Sequence, residues 1–173
     1  MPKTSSEAAT RLTLHGPTMG TRWSATIDAP PGLDRAALQR DLAAAVQRVD
    51  AQMSPWKRES DLARLNQAAP DHWVSLPPEM LAVLARALQI ARLSAGAFDP
   101  TVGALVDAWG FGAAREQPDP AAIEAARGAA AAAGHTQLEL DEAAGRVRKH
   151  APMQLDLCGI AKGYAVDCMA AVL

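Results

Sequence analysis

Leu155-Asp156-Leu157-Cys158-Gly159-Ile160-Ala161-Lys162-Gly163-Tyr164-Ala165 is the stretch on which the fold turns. Met153 to Leu157 reads as a strand, Gly159 lets the backbone turn tightly, and a helix follows. Asp156 then stands near the strand end, and Lys162 falls in the first turn of the helix. A helix N-terminus presents unpaired N–H groups and a partial positive charge, and a lysine there adds a full one, so the place suits an anionic phosphate. With no anion bound, the lysine opposes the macrodipole at a cost of ~0.3–1 kcal/mol. The plainer reading is a surface pair between Asp156 and Lys162, and spacing alone leaves both open.

Working outward, Arg11–His15 and Arg22–Asp28 are β-compatible, separated by Gly16-Pro17-Thr18-Met19-Gly20. From Asp34 the residues Leu38, Leu42, Ala45, Val46, Val49 and Met53 recur at helical spacing and stop before Pro55. Ser60 has the chemistry to cap a short helical turn through Leu62 and Leu65. Trp73–Leu76 reads as a short strand, and Pro77-Pro78 introduces a helix with Leu81, Leu84, Leu88 and Ala91 on one stripe, ending at Gly96. Asp99 is expected to cap a further helix with Pro100 at its first position, closing around Gly110 and Gly112. Asp119-Pro120 repeats that device for an Ala-rich helix reaching Gly134. Gln137–Asp141 and Arg146–His150 alternate around Gly145 as a hairpin. With no repeat and no long linker, the expectation is a single-domain α/β (α+β) fold of packed helices and short mixed or antiparallel strands. It spans 11–173, behind a flexible N-terminus over 1–10.

Composition narrows the function. The chain has 173 residues, 17 basic against 19 acidic, and 49% apolar side chains, enough for one globular core. A net charge of −2 gives no basic field for nucleic acid. No window approaches the length of a membrane span, and no signal-like apolar run follows Met1. The sequence as written reads as cytoplasmic, or as periplasmic if a leader has been removed. Cys158 and Cys168 are too few for a disulfide framework and wrongly spaced for zinc, so both are read as free thiols. His15, His72, His135 and His150 show no metal-ligand spacing. Hydrolase, P-loop and Rossmann fingerprints are missing.

Three further segments carry chemistry that the residues alone leave open. Gly20 in Thr18-Met19-Gly20-Thr21 allows close approach of a ligand and Met19 offers surface to a flat ring, or the segment is only a turn. Trp56 in Met53-Ser54-Pro55-Trp56 stacks on a planar heterocycle or covers the end of the first helix. Asp99 in Gly96-Ala97-Phe98-Asp99-Pro100-Thr101-Val102-Gly103 serves a site or only a cap.

Together these segments, with Ser60-Asp61-Leu62-Ala63-Arg64-Leu65-Asn66 and Trp109-Gly110-Phe111-Gly112, resemble the ApbE family of flavin transferases, the FAD:protein FMN transferases. The resemblance runs from Thr18 to the last residue and covers the first part of the family's usual domain. It implies an enzyme that binds FAD, uses a divalent cation, usually magnesium, to help cleave the pyrophosphate, passes FMN as a phosphoester to a Ser or Thr of an acceptor flavoprotein, and releases AMP. It implies that Met19, Trp56, Ala97, Phe98, Asp99, Asp156 and Lys162 lie on the FAD site and that the backbone carbonyl of Gly159 is a metal ligand. Two departures stand out. Cys158 replaces the first glycine of the family's Leu-Asp-Leu-Gly-Gly pattern, where a side chain makes φ > 0 costly. The family's Asp and Thr metal ligands lie downstream of this helix, so the expectation is a chain incomplete at its C-terminus and impaired alone. The alternatives are an FAD-binding module or FAD pyrophosphatase without transfer, or an inactive fragment.

Overall fold

The computed structural model describes residues 10–113 and 116–173. The chain opens with a hairpin in which β1 (Thr10–Thr18) and β2 (Thr21–Ala29) pair antiparallel from Thr10↔Ala29 to Thr18↔Thr21. The connection expected over Gly16–Gly20 shrinks to Met19 and Gly20, with φ of 45° and 67°, the left-handed pair that a two-residue hairpin turn demands. Pro17 stays in the strand because it faces Arg22, one pair in from the turn, where the ladder does not call on its missing N–H. Gly16 stays because the Trp23 indole lies across it; a Cβ there would come within 2.7 Å of Nε1. The flexible N-terminus expected over 1–10 lies outside the described residues except for Thr10, which opens β1.

The helices follow the apolar spacing. α1 (Arg35–Met53) is capped by the Asp34 carboxylate, which accepts from the N–H groups of Ala36 and Ala37. Its buried residues are Leu38, Leu42, Ala45, Val46, Val49 and Met53, the set picked out by periodicity. α2 (Asp61–Gln67) buries Leu62 and Leu65. β3 (Val74–Ser75) is the remnant of the strand expected over Trp73–Leu76, and α3 (Pro78–Leu93) ends ahead of Gly96 at φ 82°.

The segment after α3 departs from expectation. No helix starts at Pro100, because the backbone there is spent on residues 154–156: Asp156 N–H donates to the Pro100 carbonyl and Gly103 N–H to the Gln154 carbonyl, each at 2.9 Å, while Val102 pairs with Gln154 in a parallel bridge. α4 (Gly103–Ala108) begins only where a glycine lets the Gln154 backbone approach; a Cβ would lie 2.8 Å from that carbonyl oxygen. The strand expected over Met153–Leu157 is reduced to this single bridge, since its partner turns into α4 after one pair. α5 (Pro120–Ala133) is capped by Asp119 as expected, through the N–H groups of Ala121 and Ala122. β4 (Leu138–Asp141) and β5 (Arg146–Lys149) form the hairpin around Gly145 and complete an antiparallel sheet in the order β3-β5-β4. α6 (Cys158–Ala170) closes the fold against α1 and α3.

The main core holds Leu62, Leu65, Met80, Leu84, Leu155 and Leu157, all fully buried, and each such side chain is worth roughly 1.5–3 kcal/mol of transfer free energy. A second cluster joins Leu14 and Trp23 of the hairpin to Leu38, Leu42 and Val46 of α1 and Met169 of α6. Among the described residues no helix is long and apolar enough to cross a membrane.

His150 straps the loop before β3 to β4. Its Nδ1 lies 2.8 Å from Asp71 Oδ1 and its Nε2 2.7 Å from Glu139 Oε2, so the imidazolium donates to a carboxylate on each side. The bonds to Asp71 and Glu139 raise its pKa above the ordinary 6.5. The stability so gained is complete below the unfolded value and disappears as pH rises through the higher folded one. The difference in urea midpoint between the wild type and His150→Gln is therefore expected to be greatest near pH 5, below the ordinary histidine value, and to close as pH rises through the raised folded value. A pH-independent difference would rule out an ionic strap.

Candidate functional site

Four separated segments converge on the N-terminal half of α6. Ser54, at the end of α1, and Ser60, which caps α2, are both buried. Ser60 Oγ donates to the Ser54 carbonyl at 2.8 Å and accepts from Ala63 N–H at 3.0 Å, while Trp56 N–H reaches Ser54 Oγ at 3.3 Å. This clasp pins the short loop bearing Trp56, whose side chain remains 53% exposed, so that a broad indole face is free for a ligand. Lys57 is tied back to Asp50 at 2.7 Å.

Met19, from the β1–β2 turn, and Trp56 line one narrow crevice of about 10 Å³ with Cys158, Ala161 and Lys162 of α6. Beyond it, Met19, Ser54 and Trp56 form the wall of an open hollow of about 490 Å³ floored by Gly20, Asp50 and Lys57. On the far side of Pro55 lies a polar hollow of about 180 Å³ that includes Asn66, Gln154 and Asp156. Three of the residues singled out in the sequence, Met19, Trp56 and Lys162, thus share one cleft, and Asp156 lies in the adjoining hollow. Lys162 stands in the second turn of α6, not the first, because the helix already begins at Cys158. Its side chain is exposed and, among the described residues, forms no ion pair, Asp156 included. Asp156 instead accepts from Cys158 N–H at 2.7 Å, capping the start of the helix.

Ala97, Phe98 and Asp99 approach α6 from another side. Ala97 is exposed, whereas Phe98 is half-buried against Gly159, where a Cβ would come within 3.2 Å of its ring. Asp99 is occupied within its own loop: Oδ1 accepts from the Thr101 hydroxyl at 2.7 Å and backbone N–H at 2.8 Å, and Oδ2 lies 3.3 Å from both the N–H and Nδ1 of His135. Burial pushes this carboxyl upward, but the bonds from Thr101 and His135 outweigh it and hold the group below the usual carboxylate value.

A divalent cation finds a poor donor set here. Gly159 offers one backbone carbonyl, and among the described residues no group of three or more His, Cys, Asp or Glu side chains could hold a metal ion. A hard cation takes six or so oxygens with carboxylates among them. The residues present do not fit it.

The ApbE family model matches residues 19–173. The chain belongs to the ApbE family. It is 35% identical over 166 residues to a protein of Vibrio cholerae named FAD:protein FMN transferase, covering 94% of this chain and 48% of that protein. A protein of the same name from Salmonella typhimurium is 33% identical over 99% of this chain and 50% of its own length. The solved flavin transferase ApbE from Vibrio cholerae superposes with a TM-score of 0.85 at 33% identity, covering 94% of this chain and 53% of that one. The ApbE protein of Thermotoga maritima gives 0.81 at 26% identity, covering 94% and 52%. The chain spans about half the length of the curated relatives it matches.

Cys158, the departure from the ApbE glycine pattern, costs the backbone nothing, because the residue opens α6 and is not among the positive-φ positions. Two residues of this ApbE chain that sequence reasoning passed over stand behind the site. Asn66, quoted only as part of a motif, grips the backbone of Leu155, and Lys149 is buried beside it. The alternation Arg146-Val147-Arg148-Lys149 signals the second, since a strand that turns Val147 inward turns Lys149 inward as well. Ser60→Ala removes a helix cap and leaves the buried Ser54 carbonyl without its donor. The expected loss is about 1–2 kcal/mol by urea unfolding, and a loss below about 0.3 kcal/mol would mean the clasp does not hold the Trp56 loop.

Proposed function

We propose that this chain carries the flavin-binding face of an FAD:protein FMN transferase. The observation supporting it is that, within an ApbE chain, an exposed indole, a thioether and an ammonium without an ion-pair partner among the described residues surround one cleft on α6. The name of the relatives, FAD:protein FMN transferase, supplies the reaction class. In this reading Trp56 and Met19 bear on the flat ring system, and Lys162 neutralises the pyrophosphate. Asp156, with one oxygen on Cys158 N–H, has acceptor capacity left for a ribityl or ribose hydroxyl or the adenine amino group. The Asp99 loop holds Ala97 and Phe98 over the start of α6.

The reaction would join the hydroxyl oxygen of a Ser or Thr on an acceptor flavoprotein to the FMN phosphorus. The pyrophosphate P–O bond breaks, its electron pair leaves with AMP, and the hydroxyl loses its proton. Such a transfer asks for positioning and charge stabilisation more than for covalent chemistry by the protein, and a lysine facing the phosphates supplies part of that.

Incubation with FAD and an acceptor protein is expected to give a fluorescent band in gel and an FMN mass adduct on the acceptor, in a yield that added magnesium does not change. No adduct on an acceptor that a full-length relative modifies would remove transfer from this chain. Lys162→Ala is expected to raise the Kd for FAD roughly tenfold, about 1.4 kcal/mol, with the melting temperature unchanged, since the side chain is exposed. A lower melting temperature at unchanged FAD affinity would make Lys162 a structural surface residue.

A further inference from the structure

Two side chains given no contact with the flavin in this reading meet beside Asp156, Asn66 on the edge of the polar hollow and Lys149 buried behind it. Lys149, the last residue of β5, is 2% exposed. Its Nζ donates to the Asn66 carbonyl at 2.9 Å and to the Met153 carbonyl at 3.3 Å. Burial pushes its pKa down, and among the described residues it has no carboxylate partner to offset this. Burying an ammonium without a counter-ion is costly, and a methionine of similar length would fill the same space without that cost. What the charge finds instead is the end of a helix. Asn66 lies in the last turn of α2, where carbonyls have no helical N–H to accept and the helix dipole is negative.

The Asn66 side chain grips the same segment from its other flank. Its Nδ2 donates to the Leu155 carbonyl at 3.0 Å, and Leu155 N–H donates to its Oδ1 at 2.8 Å. A side-chain amide thereby takes the place that a neighbouring strand would occupy, for a segment whose own pairing is a single bridge. The next residue is Asp156, whose N–H is held by the Pro100 carbonyl and whose carboxylate holds Cys158 N–H. From Met153 to Cys158 the backbone is thus tied at successive points, and the run of ties ends where α6 starts and the cleft begins.

We propose that Lys149 and Asn66 are positioning residues for the flavin site, setting the place of Asp156 and the first turn of α6 through the backbone of Met153–Leu155. The proposal rests on the flavin reading above. It assigns neither residue contact with FAD. It explains why a buried cation is kept in the strand that faces this segment.

The test compares Lys149→Met, Lys149→Arg and Asn66→Asp in the whole chain. Asn66→Asp keeps the acceptor for Leu155 N–H but loses the donor to its carbonyl. FAD affinity is read by flavin fluorescence well below the melting temperature, and amide hydrogen exchange is followed over residues 153–160. Lys149→Met and Asn66→Asp are expected to raise the Kd for FAD roughly tenfold and to speed exchange in that segment while α1 and α3 keep their protection. Lys149→Arg is expected to restore affinity to within roughly threefold of the wild type. Unchanged affinity in variants that merely melt earlier would overturn the proposal and leave Lys149 a structural residue. If Lys149→Met does not fold, Asn66→Asp decides by the same two readouts. If the wild type itself binds no FAD, the flavin reading fails, and exchange alone decides the clamp: faster exchange confined to 153–160 upholds it and unchanged exchange overturns it.

Discussion

Leu155 and Leu157 are both buried in the main core, and the segment that carries them enters it extended. Side chains alternate along extended backbone, so burying these two leaves Asp156 no choice but the opposite side. That side faces the polar hollow that Pro55 divides from the cleft on α6. The position of the acidic group is therefore a by-product of core packing, worth several kcal/mol from the two leucines alone. The end of α2, the loop before α4 and the start of α6 take their bearings from this crossing, because Pro100, Gly103 and Asn66 bond to the backbone within two residues of Asp156 and Cys158 N–H bonds to its carboxylate.

The segments that reach the cleft arrive by different physical means. The hairpin places Met19 through a turn whose geometry is set by strand twist. Trp56 is placed by two buried hydroxyls that satisfy a helix end and a carbonyl together. Phe98 is placed by packing on a glycine of α6, with Asp99 occupied in steadying its loop. A site assembled from such unlike devices lets each wall be altered without disturbing the means that hold the others.

Much of this was legible in the chain. The buried face of α1 coincides residue for residue with its apolar spacing, and the caps at Asp34, Ser60 and Asp119 are local chemistry that needs no tertiary knowledge. The motif resemblance located the family and residues that the fold brings together. What escaped was set by contacts distant in sequence. Asp99-Pro100 has the local signature of a helix start, yet pairing with residues 154–156 overrides it. α6 starts at Cys158, with Leu157 as its N-cap and the Asp156 carboxylate accepting from Cys158 N–H, which carries Lys162 into the second turn. The partnership of Asn66 with Leu155 spans 89 residues, beyond the reach of any periodicity.

Cys158 has a bearing on the chemical character of the cleft. Burial, together with the neighbouring Asp156 charge, pushes its thiol up to about 11, so at neutral pH the sulfur keeps its proton. Thiol–disulfide exchange, alkylation and peroxide oxidation all run through the thiolate. The sulfur that lines the wall between Met19 and Lys162 is thus a small hydrophobe in practice.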